Sequence, residues 1–163
     1  MYFSLPTEYR QAEPQELNDR IAAARSRLGK KLCILTHHYQ RREVVDCGDY
    51  VGDSYGLSKL AAENKDFEVI VFCGVHFMAE SADILSSVDQ HVYLANPLAG
   101  CPMADMAEMA DVFEAWKFLE QFGGDKRIMP ISYMNTAAGL KGTVLGRHHH
   151  PTHLNRGQVT GCF

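Results

Sequence analysis

A chain of 163 residues is long enough for one domain with a real hydrophobic core and too short for two comfortable ones. Hydrophobic residues make up 46% and charged residues 22%, a globular balance that excludes disordered and collagen-like classes. The net charge of -4 is built from interspersed acidic and basic residues with no Arg/Lys stripe, which argues against a nucleic-acid partner.

The first twelve residues read as a loose arm. Pro14 suits the first turn of a helix, and Leu17, Ile21, Ala24 and Leu28 recur at helical spacing until Gly29 stops the run. Residues 1–29 are therefore expected to form an N-terminal arm and helix. Polar residues from Glu8 to Asp19 stand where a signal peptide would have its apolar core, and no run is long enough to span a bilayer. A cytoplasmic address without membrane association is expected.

Leu32–Thr36 reads as a short buried strand and Glu43–Asp49 as a short helix. Asp53 or Ser54 caps the next helix, whose Leu57, Leu60 and Ala61 face inward. Phe67–Cys73 is the strongest strand, bounded by Asp66 and Gly74. Phe77–Leu85 reads as a helix, His91–Ala95 as a strand, and Asn96 to Pro102 as a loop carrying Cys101. Met109, Val112, Trp116 and Leu119 mark one face of a long helix that Gly123-Gly124 ends. Ile128–Tyr133 is expected as a further strand, followed by a turn at Asn135 and a short helix through Leu140. Strands alternating with helices indicate an α/β fold, a three-layer domain with a short parallel sheet, over residues 30–142. The sequence changes character after that. Residues 143–163, with His148, His149, His150 and His153, read as a divergent and poorly ordered tail, able to bind a divalent metal only adventitiously.

None of the five cysteines forms C-x-x-C, and an odd number argues against a disulfide framework. Cys33 and Cys73 lie in apolar runs and read as small buried hydrophobes, whereas Cys101 lies in a loop. Ligands of parallel sheets collect outside the carboxyl ends of the strands. His37, His38 and Tyr39 follow the first strand, and His76 and Phe77 follow the next. Asn96 to Cys101 and then Asn135 and Thr136 follow later ones. His37 can titrate near neutral pH and Tyr39 can donate a proton. Strand alternation puts those two on one side with His38 turned away. Ser54 at a helix start can offer a hydroxyl beside free amides to a carboxylate or phosphate. The plainer alternatives are a core histidine, a packed tyrosine and ordinary helix caps. Neither a dinucleotide-binding glycine pattern, a P-loop, H-E-x-x-H nor G-x-S-x-G occurs.

Five stretches resemble the quinolinate synthase family in order and spacing, over roughly residues 5–143. They are Thr36-His37-His38-Tyr39-Gln40, Val51-Gly52-Asp53-Ser54, Phe72 to Glu80, Gly100-Cys101-Pro102-Met103-Ala104, and Tyr133-Met134-Asn135-Thr136-Ala137-Ala138. The resemblance implies that this α/β domain corresponds to the first of three similar domains about a pseudo-threefold axis. It implies a 4Fe-4S cluster bound by one cysteine from each domain, with Cys101 as the only one of three expected ligands present here. The implied reaction is that of a transferase of NAD biosynthesis, condensing iminoaspartate with dihydroxyacetone phosphate to quinolinate. Tyr39 and His37 would be catalytic, and His37, Ser54, Phe77, Tyr133, Asn135 and Thr136 would line the substrate. The family runs on for roughly as long again, through two more cysteines. The expectation is thus a truncated chain, inactive alone, that works with a separate chain carrying the missing domains or through self-association. A non-catalytic small-anion-binding α/β module and an interaction subunit are the competing readings.

Overall fold

The computed structural model describes residues 5–122, 128 and 131–146, with the side chains of 143–146 outside that description. The expected glycine stop at 123–124 and the histidine-rich tail lie outside the described residues. Chain order is α1 (Thr7–Arg10), α2 (Pro14–Leu28), a 3-10 turn, β1 (Leu32–His37), α3 (Arg42–Val45), β2 (Tyr50–Gly52), α4 (Ser54–Glu63), β3 (Val69–Cys73), α5 (His76–Leu85), β4 (His91–Leu94), α6 (Met109–Glu120) and α7 (Ala138–Gly146).

Four parallel strands form one sheet in the order β2-β1-β3-β4. β1 is central, and its Cys33 to His37 are all buried. A continuous apolar run of this kind is what a strand covered on both faces requires. Leu35, Ile70 and Phe72 from the sheet pack with Leu57 and Ala61 of α4 and Phe77, Met78 and Ala82 of α5. Burying each large apolar side chain stabilises the fold by roughly 1.5–3 kcal/mol, so this cluster fixes how α4 and α5 sit on the sheet. Cys33 joins the cluster as expected of a small hydrophobe, and Cys73 is half-buried. Burial pushes the Cys33 thiol up to about 12.

Gly29 ends α2 with φ 55°, a conformation that glycine adopts at no steric cost. α2 buries none of its residues. It is tied down through Arg25, whose guanidinium donates to the Cys47 carbonyl at 2.6 Å and pairs with Asp49.

Besides α7, which runs on to Gly146 past the Leu140 expected as its end and into the stretch expected as a poorly ordered tail, three details differ from the sequence reading. The arm contains one helical turn, α1. The helix expected over 43–49 is the shorter α3, and the chain then forms β2. That strand was hidden because it is three residues long and ends in glycine. It is held in register by Asp49, whose N–H donates to the Ile34 carbonyl and whose carboxylate accepts the Ile34 N–H, both at 2.8 Å. The third difference is at Ile128–Tyr133. Residue 128 and residues 131–133 carry no strand assignment. Ile131 and Tyr133 are exposed, so the apolar alternation there does not mark a buried face. Among the described residues no helix is long and apolar enough to cross a membrane.

Candidate active site

The order β2-β1-β3-β4 determines where a ligand can bind. From β1 the chain steps outward to β2, then crosses back to β3 on the other side of β1. The connections thus diverge between β1 and β3, and ligands of parallel sheets bind outside the carboxyl ends at such a switch point. His37 is the last residue of β1, and Gly74 to Phe77 leave β3.

His37 is 6% exposed. The backbone N–H of Tyr39 donates to its Nδ1 at 3.3 Å, which leaves the proton of the neutral ring on Nε2. Burial, reinforced by the neighbouring His38 charge, lowers its pKa, with Asp53 opposing. His38 does not turn away. The strand stops at His37 and a turn follows, so the alternation expected of a strand no longer applies. His38 stacks on His37 at 4.4 Å between centroids, and Tyr39 lies 4.9 Å from His37 and 4.3 Å from His38. His38 is pinned to β2 by its N–H, which donates to the Gly52 carbonyl at 3.1 Å, and by an Nδ1 contact with the same oxygen at 3.0 Å. Tyr39 is 84% exposed, so its phenol is open to a ligand.

Gly52 leads directly into α4. Asp53 is the N-cap, its carboxylate accepting from the N–H groups of Tyr55 and Gly56 at 2.9 Å. The Gly56 N–H, with that of Tyr55, holds the Asp53 carboxyl below its ordinary value. Of the two candidates for the cap, Asp53 takes that role. Ser54 is the first helical residue and half-buried, two residues past the Gly52 whose carbonyl holds His38.

A second group forms around the β3 and β4 exits. Phe77, in the first turn of α5 just past the end of β3, is fully buried and packs in the core. The partly buried Cys101 follows β4; its N–H donates to Asp105 at 3.3 Å, and Asp105 lies 3.6 Å from His76. Asn135 donates from Nδ2 to Met103 Sδ at 3.5 Å, which brings the 133–136 segment onto the Cys101 loop. Tyr133 is 65% exposed, while Thr136 is buried.

The predicted residues therefore assemble as two groups at the same sheet edge. His37, Tyr39 and Ser54 surround the β1 and β2 exits, and Phe77, Cys101, Tyr133, Asn135 and Thr136 surround the β3 and β4 exits. Sequence reading missed the His76–Asp105 pair and the role of His38, since both depend on turn geometry without a sequence signature.

The donor set limits what metal chemistry this chain could support. Among the described residues no three His, Cys, Asp or Glu side chains form a group able to hold a metal ion. Cys101 is a single partly exposed thiol, and the described residues gather no further cysteine, histidine or carboxylate beside it into a metal-holding group. Leu98, Met103, Met106, Ile131 and Tyr133, in the loop of Cys101 and the segment that meets it, are all exposed.

A sequence model of the family described as quinolinate synthetase A protein matches residues 19–148. A quinolinate synthase of Corynebacterium glutamicum is 50% identical over 144 residues, which cover 88% of this chain and 36% of that protein. One from Lysinibacillus sphaericus is 49% identical over 144 residues, 88% of this chain and 39% of that protein. One from Herpetosiphon aurantiacus is 52% identical over 136 residues, 82% of this chain and 36% of that protein. The chain thus spans a little over a third of the length of the curated relatives it matches.

Proposed function

Because this chain belongs to the quinolinate synthase family, we propose that it supplies one wall of a site that condenses iminoaspartate with dihydroxyacetone phosphate to quinolinate, in the cytosol. The observation that carries this reading is the buried His37 at the β1/β3 divergence, its Nδ1 taken by the Tyr39 N–H, flanked by the exposed phenol of Tyr39. Nε2 of His37 presents its proton as a hydrogen-bond donor to a substrate oxygen. Tyr39, held beside it and open to solvent, moves protons during cyclisation. Ser54 and the first amides of α4 favour a carboxylate. Asn135 and Tyr133 bind from the opposite group, Thr136 supports them from below, and Phe77 keeps water out of the floor.

Cys101 would serve as one thiolate of a 4Fe-4S cluster, with the remaining ligands outside this chain's share of the family's length. When bound, such a cluster with an open iron position supplies Lewis-acid assistance to loss of a hydroxyl group. Residues 30–142 are the unit that carries the wall, with 1–29 as an accessory arm and helix and 143–163 outside the site. The exposed apolar side chains near Cys101 suit a partner, either a separate polypeptide supplying the remaining family length or a second copy.

The test is an anaerobic assay of the iron- and sulfide-reconstituted chain, alone and mixed with the remaining part of the Corynebacterium glutamicum relative. Quinolinate should form only in the mixture. It should vanish in Cys101→Ala and fall at least about a hundredfold in Tyr39→Phe. Quinolinate formation in the mixture that survives Cys101→Ala and Tyr39→Phe unchanged would sink the reading. A chain that binds phosphate or dicarboxylates yet never supports quinolinate formation would instead be a small-anion module.

A further inference from the structure

The proposed mechanism leaves unused one buried charged group, Lys141 of α7. It is 6% exposed, and no carboxylate among the described residues lies within 4.0 Å of its Nζ. Its contacts are Ser81 Oγ at 3.5 Å, Met134 Sδ at 3.9 Å and the Phe77 ring, whose centroid is 5.8 Å away. A methionine would fill this volume without the cost of taking an ammonium out of water. The contacts indicate what the ammonium does instead. Ser81, which itself donates to the Phe77 carbonyl at 2.8 Å, and Phe77 both belong to α5, whereas Met134 belongs to the loop that presents Tyr133 and Asn135. Nearby, Glu80 of α5 accepts the Ala138 N–H at 2.8 Å and so caps the start of α7.

We propose that Lys141 is a positioning residue, whose ammonium clasps Met134 against Ser81 and Phe77 and thereby sets Asn135 over the Cys101 loop. The inference rests on the reading of Tyr133–Thr136 as substrate-facing. Glu80 anchors one end of the segment through the backbone of Ala138, and Lys141 anchors the other through sulfur. The Met134 carbonyl accepts the Thr136 N–H at 2.8 Å, which makes the segment between them a tight turn with little freedom of its own. A shift of Met134 is therefore passed on to Asn135 and its contact with Met103. Burial disfavours the ammonium and lowers its pKa, with the titratable neighbour Glu80 opposing. α6, the other helix packed on α7, meets it at Gly139 through Met109.

Two thioethers, at Met134 and Met103, report on this clasp, so the test is methyl NMR of the 163-residue chain labelled at methionine. In the wild type, the Met134 and Met103 methyl signals should move together as pH rises, with a common midpoint below the ordinary lysine value of 10.5. In Lys141→Met that common transition should disappear, and Met103 should resonate at the position it reaches in the wild type at high pH. A Met103 signal that stays flat while Met134 titrates overturns the proposal. So does a Met103 signal that Lys141→Met leaves in place. Should that variant fail to fold, the wild-type titration alone decides. In the mixture with the remaining part of the Corynebacterium glutamicum relative, quinolinate, added as the probe, should bind about tenfold more weakly with Lys141→Met than with the wild type. No binding to the wild-type mixture would count against the proposed function, while the methyl signals would still decide the clasp.

Discussion

The two sides of the candidate site are held in place by different forces. At the β1 exit, position comes from the backbone. His37 is the last rung of the central strand, His38 is bonded to the Gly52 carbonyl, and the Tyr39 N–H closes on His37. At the 131–137 segment no ladder exists among the described residues, and position comes from side chains: Asn135 on Met103, Lys141 on Met134, and Glu80 on the Ala138 amide. A backbone-built side should fail only when the sheet fails. A side-chain-built side can move alone, which suits the role proposed for it, a wall that would meet ligand and further protein surface.

The sheet side should show the larger energetic response. Phe72 is fully buried between β1 and α5 neighbours, so Phe72→Ala should cost about 3–5 kcal/mol in urea unfolding and weaken ligand binding only through loss of the fold. Tyr133→Ala, at an exposed position, should change stability by no more than about 0.5 kcal/mol while still weakening binding. Equal losses of stability for the two would remove the distinction between the sides.

A second substitution probes the sheet side from its turn. A Cβ at Gly48 would lie 2.6 Å from the buried Thr36 Oγ1 and 3.2 Å from the Val45 carbonyl oxygen. Gly48→Ala should therefore destabilise the chain by about 1–3 kcal/mol, read as a lower denaturation midpoint at unchanged slope. It should also broaden the His37 and His38 NMR signals, since Thr36 adjoins His37 in β1. Sharp histidine signals in a destabilised variant would show that the turn and the ring cluster are independent.

Much of this contrast could be read in the sequence, and where it could not the reason is physical. Leu32–Thr36 and Phe67–Cys73 were legible because a buried central strand leaves a run of apolar residues that polar ones interrupt on either side. The helix at Ser54 was legible from its cap, and Asp53 is bonded as capping chemistry expects. Ile128–Tyr133 misled because Ile131 and Tyr133 alternate as in a strand, yet both point to solvent. Three-residue β2 carries too little pattern to register, and its pairing depends on Asp49, a contact across fifteen residues. The carboxyl-edge placement of the candidate residues followed from parallel topology alone. The clasp by Lys141 and Glu80 did not, because a lysine near a chain's end reads as solvated until the fold buries it.

Between these sides stands the α4 cap, for which a smaller effect is expected. Asp53→Ala removes two hydrogen bonds to helix amides and should cost about 1 kcal/mol at neutral pH. The folded carboxyl titrates below its ordinary value, so the cap's contribution is complete above about pH 4 and is lost as pH falls through the lower, folded value. Melting curves at pH 6 and pH 3 should therefore separate wild type from variant at the first pH and bring them closer at the second. A constant gap at both would mean that the carboxylate charge contributes nothing to the cap.

The smallest effect on stability, and the sharpest test of the backbone-built side, is the protonation of His37. Burial first, and the His38 charge second, place its folded pKa below the ordinary 6.5. For a base with a depressed folded pKa, the unfolded chain binds the extra proton first as pH falls. The stabilisation from the buried neutral ring is therefore complete above pH 6.5, declines below it, and levels off beneath the folded pKa. Nitrogen-15 NMR should show His37 titrating below 6.5, with the neutral ring protonated at Nε2 because the Tyr39 N–H occupies Nδ1. His38→Ala removes the stacked neighbour and should move the His37 midpoint upward, without reaching 6.5 while the ring stays buried. A His37 midpoint above 6.5 in the wild type would mean that the ring is charged near neutral pH. It would then attract a substrate carboxylate as a cation instead of offering it a neutral N–H, and the division of labour proposed between His37 and Tyr39 would have to be reversed.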